Sequence, residues 1–312
     1  MSIATRESYG NILIELGEEN KNIVVLDADL SKSTKTAGFA KKFPERFINA
    51  GIAEQNLMGM AAGLATTGKI AFASTFAVFA TGRAFEVIRN SICYPNLNVK
   101  VAATHAGITV GEDGGSHQSI EDIAIMRSLP NMRIIVPADD IETKQAVRAA
   151  ANMEGPVYIR LGRLGVPAIF DENHTFTFGK GNLLKEGQDI TIIGTGLMTS
   201  KCIEAAELLE KEGIHARVIN ISTIKPIDED IIIQAAKETN RIVTVEEHSI
   251  IGGLGSAVCD IVSAYCPVQV VKIGINDTFG ESGKPEELLI KYGLTVDNIY
   301  HTAQKMIDNK NK

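Results

Sequence analysis

Short β-branched runs alternate with stretches that repeat apolar residues at helical spacing along these 312 residues, and the alternation breaks once, at 166–188. No other feature constrains the fold as strongly, because strands linked through helices need right-handed crossovers and give a largely parallel sheet. Residues 5–16 carry a helical pattern that stops at Gly17, and 22–26 are short and β-branched. Residues 47–50, 70–74, 99–103, 132–136 and 157–160 read as further strands, with helices at 54–67, 83–92, 120–127 and 140–153 between them. Pro167, Asp171-Glu-Asn, Gly179, Gly181 and Gly187 mark 166–188 as a connector. Beyond it, strands at 190–193, 216–219, 242–245 and 268–273 alternate with helices at 201–212, 229–238 and 254–264, and a polar helix at 296–308 follows. The expected fold class is α/β, with two doubly wound, largely parallel-sheet domains at 1–165 and 189–312 joined by a linker at 166–188. The length suits two ordinary cores better than one.

A net charge of −7 with 22% charged residues supplies no basic field for nucleic acid or for an anionic membrane surface. Cys93, Cys202, Cys259 and Cys266 are scattered, without C-x-x-C spacing, as expected of buried thiols in a reducing compartment. The first residues, Met1-Ser-Ile-Ala-Thr-Arg-Glu, lack the basic and apolar regions of a signal peptide, and no uncharged run is long enough to cross a bilayer. A cytoplasmic protein is expected. Gly194-Thr-Gly196 and Gly252-Gly-Leu-Gly255 lack G-x-G-x-x-G spacing with an acidic residue ending the next strand, and read as tight strand-to-helix turns.

Chemistry concentrates at 104–118, Thr-His-Ala-Gly-Ile-Thr-Val-Gly-Glu-Asp-Gly-Gly-Ser-His-Gln, which sets two imidazoles and two carboxylates among four glycines directly after an apolar run. Open α/β sheets bind ligands beyond the carboxyl ends of their strands, and glycines there let backbone approach a ligand closely. A lone histidine is usually structural, but His105 and His117 in one glycine-rich loop point to a site. Glu54, in Gly51-Ile-Ala-Glu-Gln-Asn, opens the apolar helix that contains Met58, Met60, Ala61 and Leu64. A carboxylate there is either a helix-dipole partner or a group holding a proton on a ring nitrogen of a bound heteroaromatic.

Five motifs occur in the order seen in transketolases: Asp-Ala-Asp-Leu-Ser-Lys-Ser at 27–33, Gly-Ile-Ala-Glu-Gln-Asn, Ser-Thr-Phe-x-x-Phe at 74–79, Thr-His at 104–105, and Gly-Glu-Asp-Gly-x-Ser-His-Gln at 111–118. From Arg6 through the second domain the chain resembles the C-terminal half of a transketolase, a pyrimidine-binding domain plus a C-terminal domain. In that family thiamine diphosphate lies between two domains, one gripping the diphosphate through Mg²⁺ with Gly-Asp-Gly…Asn, the other holding the aminopyrimidine. No Gly-Asp-Gly occurs here. The resemblance therefore implies a split transketolase whose Mg²⁺ and diphosphate are bound by a separate N-terminal subunit, in an α2β2 heterotetramer, with no metal ligand on this chain. The implied reaction belongs to the pentose phosphate pathway: transfer of a two-carbon ketol unit from a ketose phosphate to an aldose phosphate.

The resemblance also implies roles for single residues. Glu54 matches the glutamate that hydrogen-bonds the pyrimidine and favours the tautomer that activates the thiazolium carbon. Phe76 and Phe79 match aromatics packed on that ring, with core filling as the alternative; Gly82 stands where many members carry a further aromatic. Asp29, Leu30 and Ser33 match a loop that touches cofactor and substrate, with turn formation and helix capping as the alternative. His117 matches a residue near the sugar's first hydroxyls, Asp113 one at the C2 hydroxyl, and His105 one toward the phosphate end. Acid–base steps at the hydroxyls fall to His117 and His105. Arg6 and Arg163 match arginines that hold the sugar phosphate, a task for planar bidentate donors; surface solvation is the alternative, and Arg160 competes with Arg163 for the role.

Two relatives share the Glu54 motif. The β subunit of 2-oxo-acid dehydrogenases is split at the same place but lacks the Gly-Glu-Asp-Gly-x-Ser-His-Gln loop. Deoxyxylulose-phosphate synthases are single chains that usually carry arginine at the position of His105. Ala106 stands where full-length transketolases usually have aspartate, which bears on donor preference. An inactive scaffold is opposed by the joint presence of Glu54, His105, Asp113 and His117. The second domain carries no comparable cluster, and the resemblance gives it a role in dimerisation.

Overall fold

In the computed structural model, which describes residues 2–308, the strand-type runs assemble into two sheets flanked by helices. A short antiparallel ribbon pairs β1 (Ile3–Ala4) with β8 (Gly165–Val166). The first sheet holds β2 (Ile23–Asp27), β3 (Phe47–Asn49), β4 (Ile70–Phe76), β5 (Val99–Thr104), β6 (Arg133–Ile135), β7 (Val157–Arg160) and β12 (Thr223–Lys225), in the order β12-β6-β7-β5-β4-β2-β3. Its strands pair in parallel except at β12, an antiparallel edge contributed by chain beyond the connector. β2, β5 and β7 are buried along their whole length, which is why they read as mostly apolar runs and not as alternation, with Lys100 and Arg160 as buried charged exceptions.

The second sheet takes β9 (Asn182–Lys185), β10 (Ile190–Gly194), β11 (Ala216–Asn220), β13 (Arg241–Ser249) and β14 (Gln269–Ile275), ordered β14-β13-β10-β11-β9. Only β9 runs antiparallel. One apolar layer serves both sheets, running from Leu57, Met58, Ile88 and Ile92 to Ile193, Ile232, Leu254 and Val258.

Several elements depart from the sequence expectations. The helix Thr5–Glu19 runs through Gly17, because a Cβ there would lie 2.6 Å from the Phe39 and Phe43 rings; the glycine makes room for packing and ends nothing. The helical segment expected at 83–92 starts at residue 77 and contains wide π-type turns at Phe79–Arg83 and Ile88–Cys93 around the short helix Phe85–Val87. Wide turns absorb extra residues, and Ala80, Ala84, Ile88 and Ile92 all remain buried. Cys93 and Cys202 are buried, whereas Cys259 and Cys266 are partly exposed; all four are free thiols. Among the described residues no helix is long and apolar enough to cross a membrane.

Candidate functional site

The carboxyl ends of β2, β4 and β5 deliver the sequence motifs to one edge of the first sheet. β2 ends at Asp27, whose buried carboxylate accepts hydrogen bonds from Leu30 N (2.6 Å), Thr34 Oγ1 (2.6 Å) and Thr36 Oγ1 (2.9 Å). Burial nonetheless outweighs these donors and raises its pKa. This knot fixes the loop carrying Asp29, Leu30 and Ser33. Asp29 adopts a left-handed φ of 64°. Its amide donates to Asn49 Oδ1 (3.0 Å) and its carboxylate accepts from Asn49 Nδ2 (2.9 Å), tying the loop to the turn that precedes Glu54.

Glu54 opens the helix Glu54–Thr66 and is 2% exposed. Its Oε2 accepts from Arg83 Nη1 at 2.7 Å, while Oε1 has no partner among the described residues. Arg83 is half exposed and also lies over the Phe79 ring, 4.7 Å from its centroid. A Cβ on Gly82 would meet nothing within 4 Å. Phe76 and Phe79 are nearly coplanar in orientation, 11° apart with centroids at 6.0 Å. Phe76 stacks on His105 at 3.8 Å, and Phe79 meets His117 edge-on at 5.3 Å. The two rings thus form a seam between a carboxylate and two imidazoles, which core filling alone does not require.

His105 is 2% exposed, with a left-handed φ of 56°. Arg6 Nη1 donates to its Nε2 (2.9 Å), so the network assigns the proton to Nδ1, which donates to Thr104 Oγ1 (2.8 Å). Burial first, then the charges of Arg6, Arg163, His117 and Lys35, push its pKa down to about 3. Arg6 Nη1 also donates to the Ser33 carbonyl (3.0 Å). His117 Nδ1 engages Ser116 Oγ (3.1 Å), leaving Nε2 without a partner among the described residues.

The two candidate arginines separate clearly. Arg160 is buried against Asp122, donating from Nε to Oδ2 (2.8 Å) and from Nη2 to Oδ1 (3.2 Å), and it also reaches the Glu247 carbonyl (2.9 Å). Burial alone would raise the pKa of Asp122, but Arg160 first, with His248 and the Tyr158 hydroxyl, more than offsets it and the net shift is downward. Arg163 is more exposed, with Nη1 3.4 Å from Asp113 Oδ2 and donating to the Val110 carbonyl. Arg160 therefore serves the interior, and Arg163 stays beside the loop.

The structure thus gathers Arg6, Ser33, Phe76, Phe79, His105 and His117, sets Asp113 and Arg163 beside them, and keeps Glu54 across Phe79 and Arg83. Asp29 and Leu30 hydrogen-bond to Asn49 and Asp27 instead of to the histidines. Sequence reasoning missed Arg83, Asp27 and Asn49; an arginine within the apolar run after Phe79 was the available signal for the first. The four loop glycines also need a different account. Gly107, Gly111, Gly114 and Gly115 lie against Glu247, Pro285, Ser282 and Gly280 respectively, so they make room for the second domain.

Residues 1–167 match the family model for the transketolase pyrimidine binding domain, and residues 179–299 the model for the transketolase C-terminal domain. A protein named as a transketolase C-terminal section in Methanocaldococcus jannaschii is 54% identical over 98% of this chain and 96% of its own length. The 6-deoxy-6-sulfo-D-fructose transketolase subunit of a Clostridium species is 41% identical, over 98% and 95%. A split-gene transketolase, solved as an inactive β4 tetramer, superposes with a TM-score of 0.92 at 61% identity, covering 98% of this chain and 99% of that one.

Proposed function

This chain belongs to the transketolase family, whose members depend on thiamine diphosphate, and it matches the subunits of split transketolases; from that membership we propose that it supplies the pyrimidine half of a cofactor site shared with a second chain. The assembled pair transfers a two-carbon ketol unit from a ketose phosphate to an aldose phosphate. The observation that carries this reading is the seam of Phe76 and Phe79, with Glu54 on one side and the Arg6–His105–His117 cluster on the other. Apolar ring faces beside a carboxylate with one unpartnered oxygen suit a planar heteroaromatic that must keep a proton on a ring nitrogen.

Thiamine diphosphate, when bound, supplies the nucleophilic carbon and the electron sink for breaking a C–C bond. Glu54 would hold the proton at the pyrimidine nitrogen through Oε1, and Phe76 and Phe79 would keep water from the ring. His105 is neutral, with both nitrogens engaged, so it orients a sugar oxygen through the network it shares with Arg6. His117, with Nε2 unpartnered, is the better placed to carry protons to and from the sugar hydroxyls. Asp113 would take the C2 hydroxyl as its pairing with Arg163 opens. Arg6 and Arg163 would grip the terminal anion of the sugar, a role that fits phosphate and fits the sulfonate named for the Clostridium relative equally.

The diphosphate and Mg²⁺ are assigned to an N-terminal subunit in an α2β2 assembly, since Gly-Asp-Gly is absent from this sequence. The inactivity of the β4 tetramer of a 61% identical relative supports that dependence. A cytoplasmic setting agrees with four free thiols. The test is to assay the chain alone and mixed with a chain carrying the diphosphate motif. Transfer from xylulose 5-phosphate to ribose 5-phosphate is expected in the mixture and not from the chain alone. Pyruvate turnover in the mixture, or no sugar transfer, would overturn the reading.

A further inference from the structure

The loop that carries His105, Asp113 and His117 is shaped by the second domain. Glu247 lies near the end of β13 and is 5% exposed, and its Oε1 accepts the Thr109 N–H at 2.7 Å across the domain boundary. Gly107, at φ +83°, sits so close that a Cβ would overlap that carboxyl group. Further along, a Cβ on Gly111 would come within 3.2 Å of Pro285, one on Gly115 within 2.6 Å of the Gly280 carbonyl, and Gly114 abuts Ser282. Gln118 Nε2 donates to the Glu281 carbonyl (2.8 Å). Gly111 itself holds φ 85° and ψ −124° inside the helical turn Ile108–Asp113, a backbone geometry strained for any side chain. The loop has turn bonds of its own, Gly114 N–H to the Gly111 carbonyl (3.1 Å) and His117 N–H to the Gly114 carbonyl (2.9 Å), and the surface beneath fixes where those turns sit. Among these contacts Glu247 provides a carboxylate shielded from water, where a charge-assisted bond to a backbone amide is strongest.

We propose that Glu247 is a positioning residue for sugar binding. Its carboxylate, reaching from the second domain to the amide of Thr109, sets the loop so that His105, Asp113 and His117 face the sugar. This rests on the transketolase reading and extends it to a residue that touches neither cofactor nor substrate.

The test uses Glu247→Ala and Glu247→Gln in the full chain, assembled with its diphosphate-binding partner. Glu247→Ala should raise the KM for sugar phosphates and lower kcat/KM roughly 100-fold, the scale of a loop misplaced by about 1 Å. Thiamine diphosphate affinity, measured calorimetrically, should stay unchanged. Glu247→Gln keeps an oxygen for Thr109 N–H and should restore most of the kcat/KM. Hydrogen exchange of amides 107–118 in the chain by itself should quicken in Glu247→Ala and recover in Glu247→Gln. Gly107→Ala, which drives a methyl group into the carboxylate, should reproduce the Glu247→Ala pattern. Unchanged sugar kinetics despite faster exchange would reduce Glu247 to interdomain packing and overturn the proposal, as would an equal loss of cofactor affinity. If the unaltered complex transfers no sugar, the transketolase reading fails instead, and the exchange measurements still decide whether Glu247 fixes the loop.

Discussion

His105 should remain neutral throughout the working pH range, and the structure gives the size of the effect. Burial, then the charges of Arg6, Arg163, His117 and Lys35, hold it at about 3 against an ordinary 6.5. The unfolded chain takes up its proton near 6.5 and the folded chain only near 3, so the neutral ring stabilises the fold fully above pH 6.5. That contribution is lost progressively as pH falls from 6.5 toward 3. The whole interval of about 3.5 units corresponds to about 5 kcal/mol at most, of which about 2 kcal/mol falls between pH 7 and 5. His105 is 2% exposed, so solvent screening removes little of it. The six histidines make subtractive assignment practical: the imidazole Cε1–H resonance lost in His105→Gln should not move between pH 8 and 5. In urea unfolding, the unaltered chain should lose about 2 kcal/mol more than His105→Gln on going from pH 7 to 5. A resonance titrating near 6.5, or parallel pH curves for the two proteins, would refute the reasoning, and with it the Arg6–His105–Thr104 chain.

Glu54→Ala should abolish sugar transfer by the assembled enzyme while costing the fold only about 1 kcal/mol of helix-dipole stabilisation, because the half-exposed Arg83 it releases is taken up by water; retained activity would remove Glu54 from the pyrimidine site. Arg163→Ala should raise the KM for phosphorylated sugars with little change in melting temperature, and an unchanged KM would exclude it from the phosphate end. Arg160→Ala should do the reverse, leaving Asp122 as a buried unpaired charge at a cost of about 3–5 kcal/mol, read as a fall in the thermal midpoint; a midpoint matching that of Arg163→Ala would show that the pair carries no structural load.

Features written in local periodicity were legible. β2, β5 and β10 appear where short apolar runs predicted them, since a strand buried on both faces needs no partner to be recognised. Glu54 and the 104–118 loop stood out through residue types that a core does not want. The remainder depends on distant neighbours. Gly17 looks like a helix stop until the Phe39 and Phe43 rings are seen beside it. β12 is three residues long and gains its place only by pairing with β6. Asp27 reads as an ordinary strand-end aspartate, and its hold on Leu30, Thr34 and Thr36 is visible only once the loop is folded. The choice between Arg160 and Arg163 likewise turned on Asp122, 38 residues from Arg160 in sequence.

Glycines among polar residues at a strand end admit two explanations, close approach of a ligand or close approach of another part of the protein. Here all four abut residues of the second domain, at Glu247, Gly280, Ser282 and Pro285. The histidines and Asp113 are then displayed by a backbone held both by its own turn bonds and by the second domain packed beneath it. A chain break within 166–188 would separate this loop from what shapes it, take β12 from the edge of the first sheet, and open the apolar layer that joins Leu57 and Ile88 to Ile193 and Leu254. All of these contacts lie within this chain, so the first domain's site loop and the edge of its sheet are built together with the second domain.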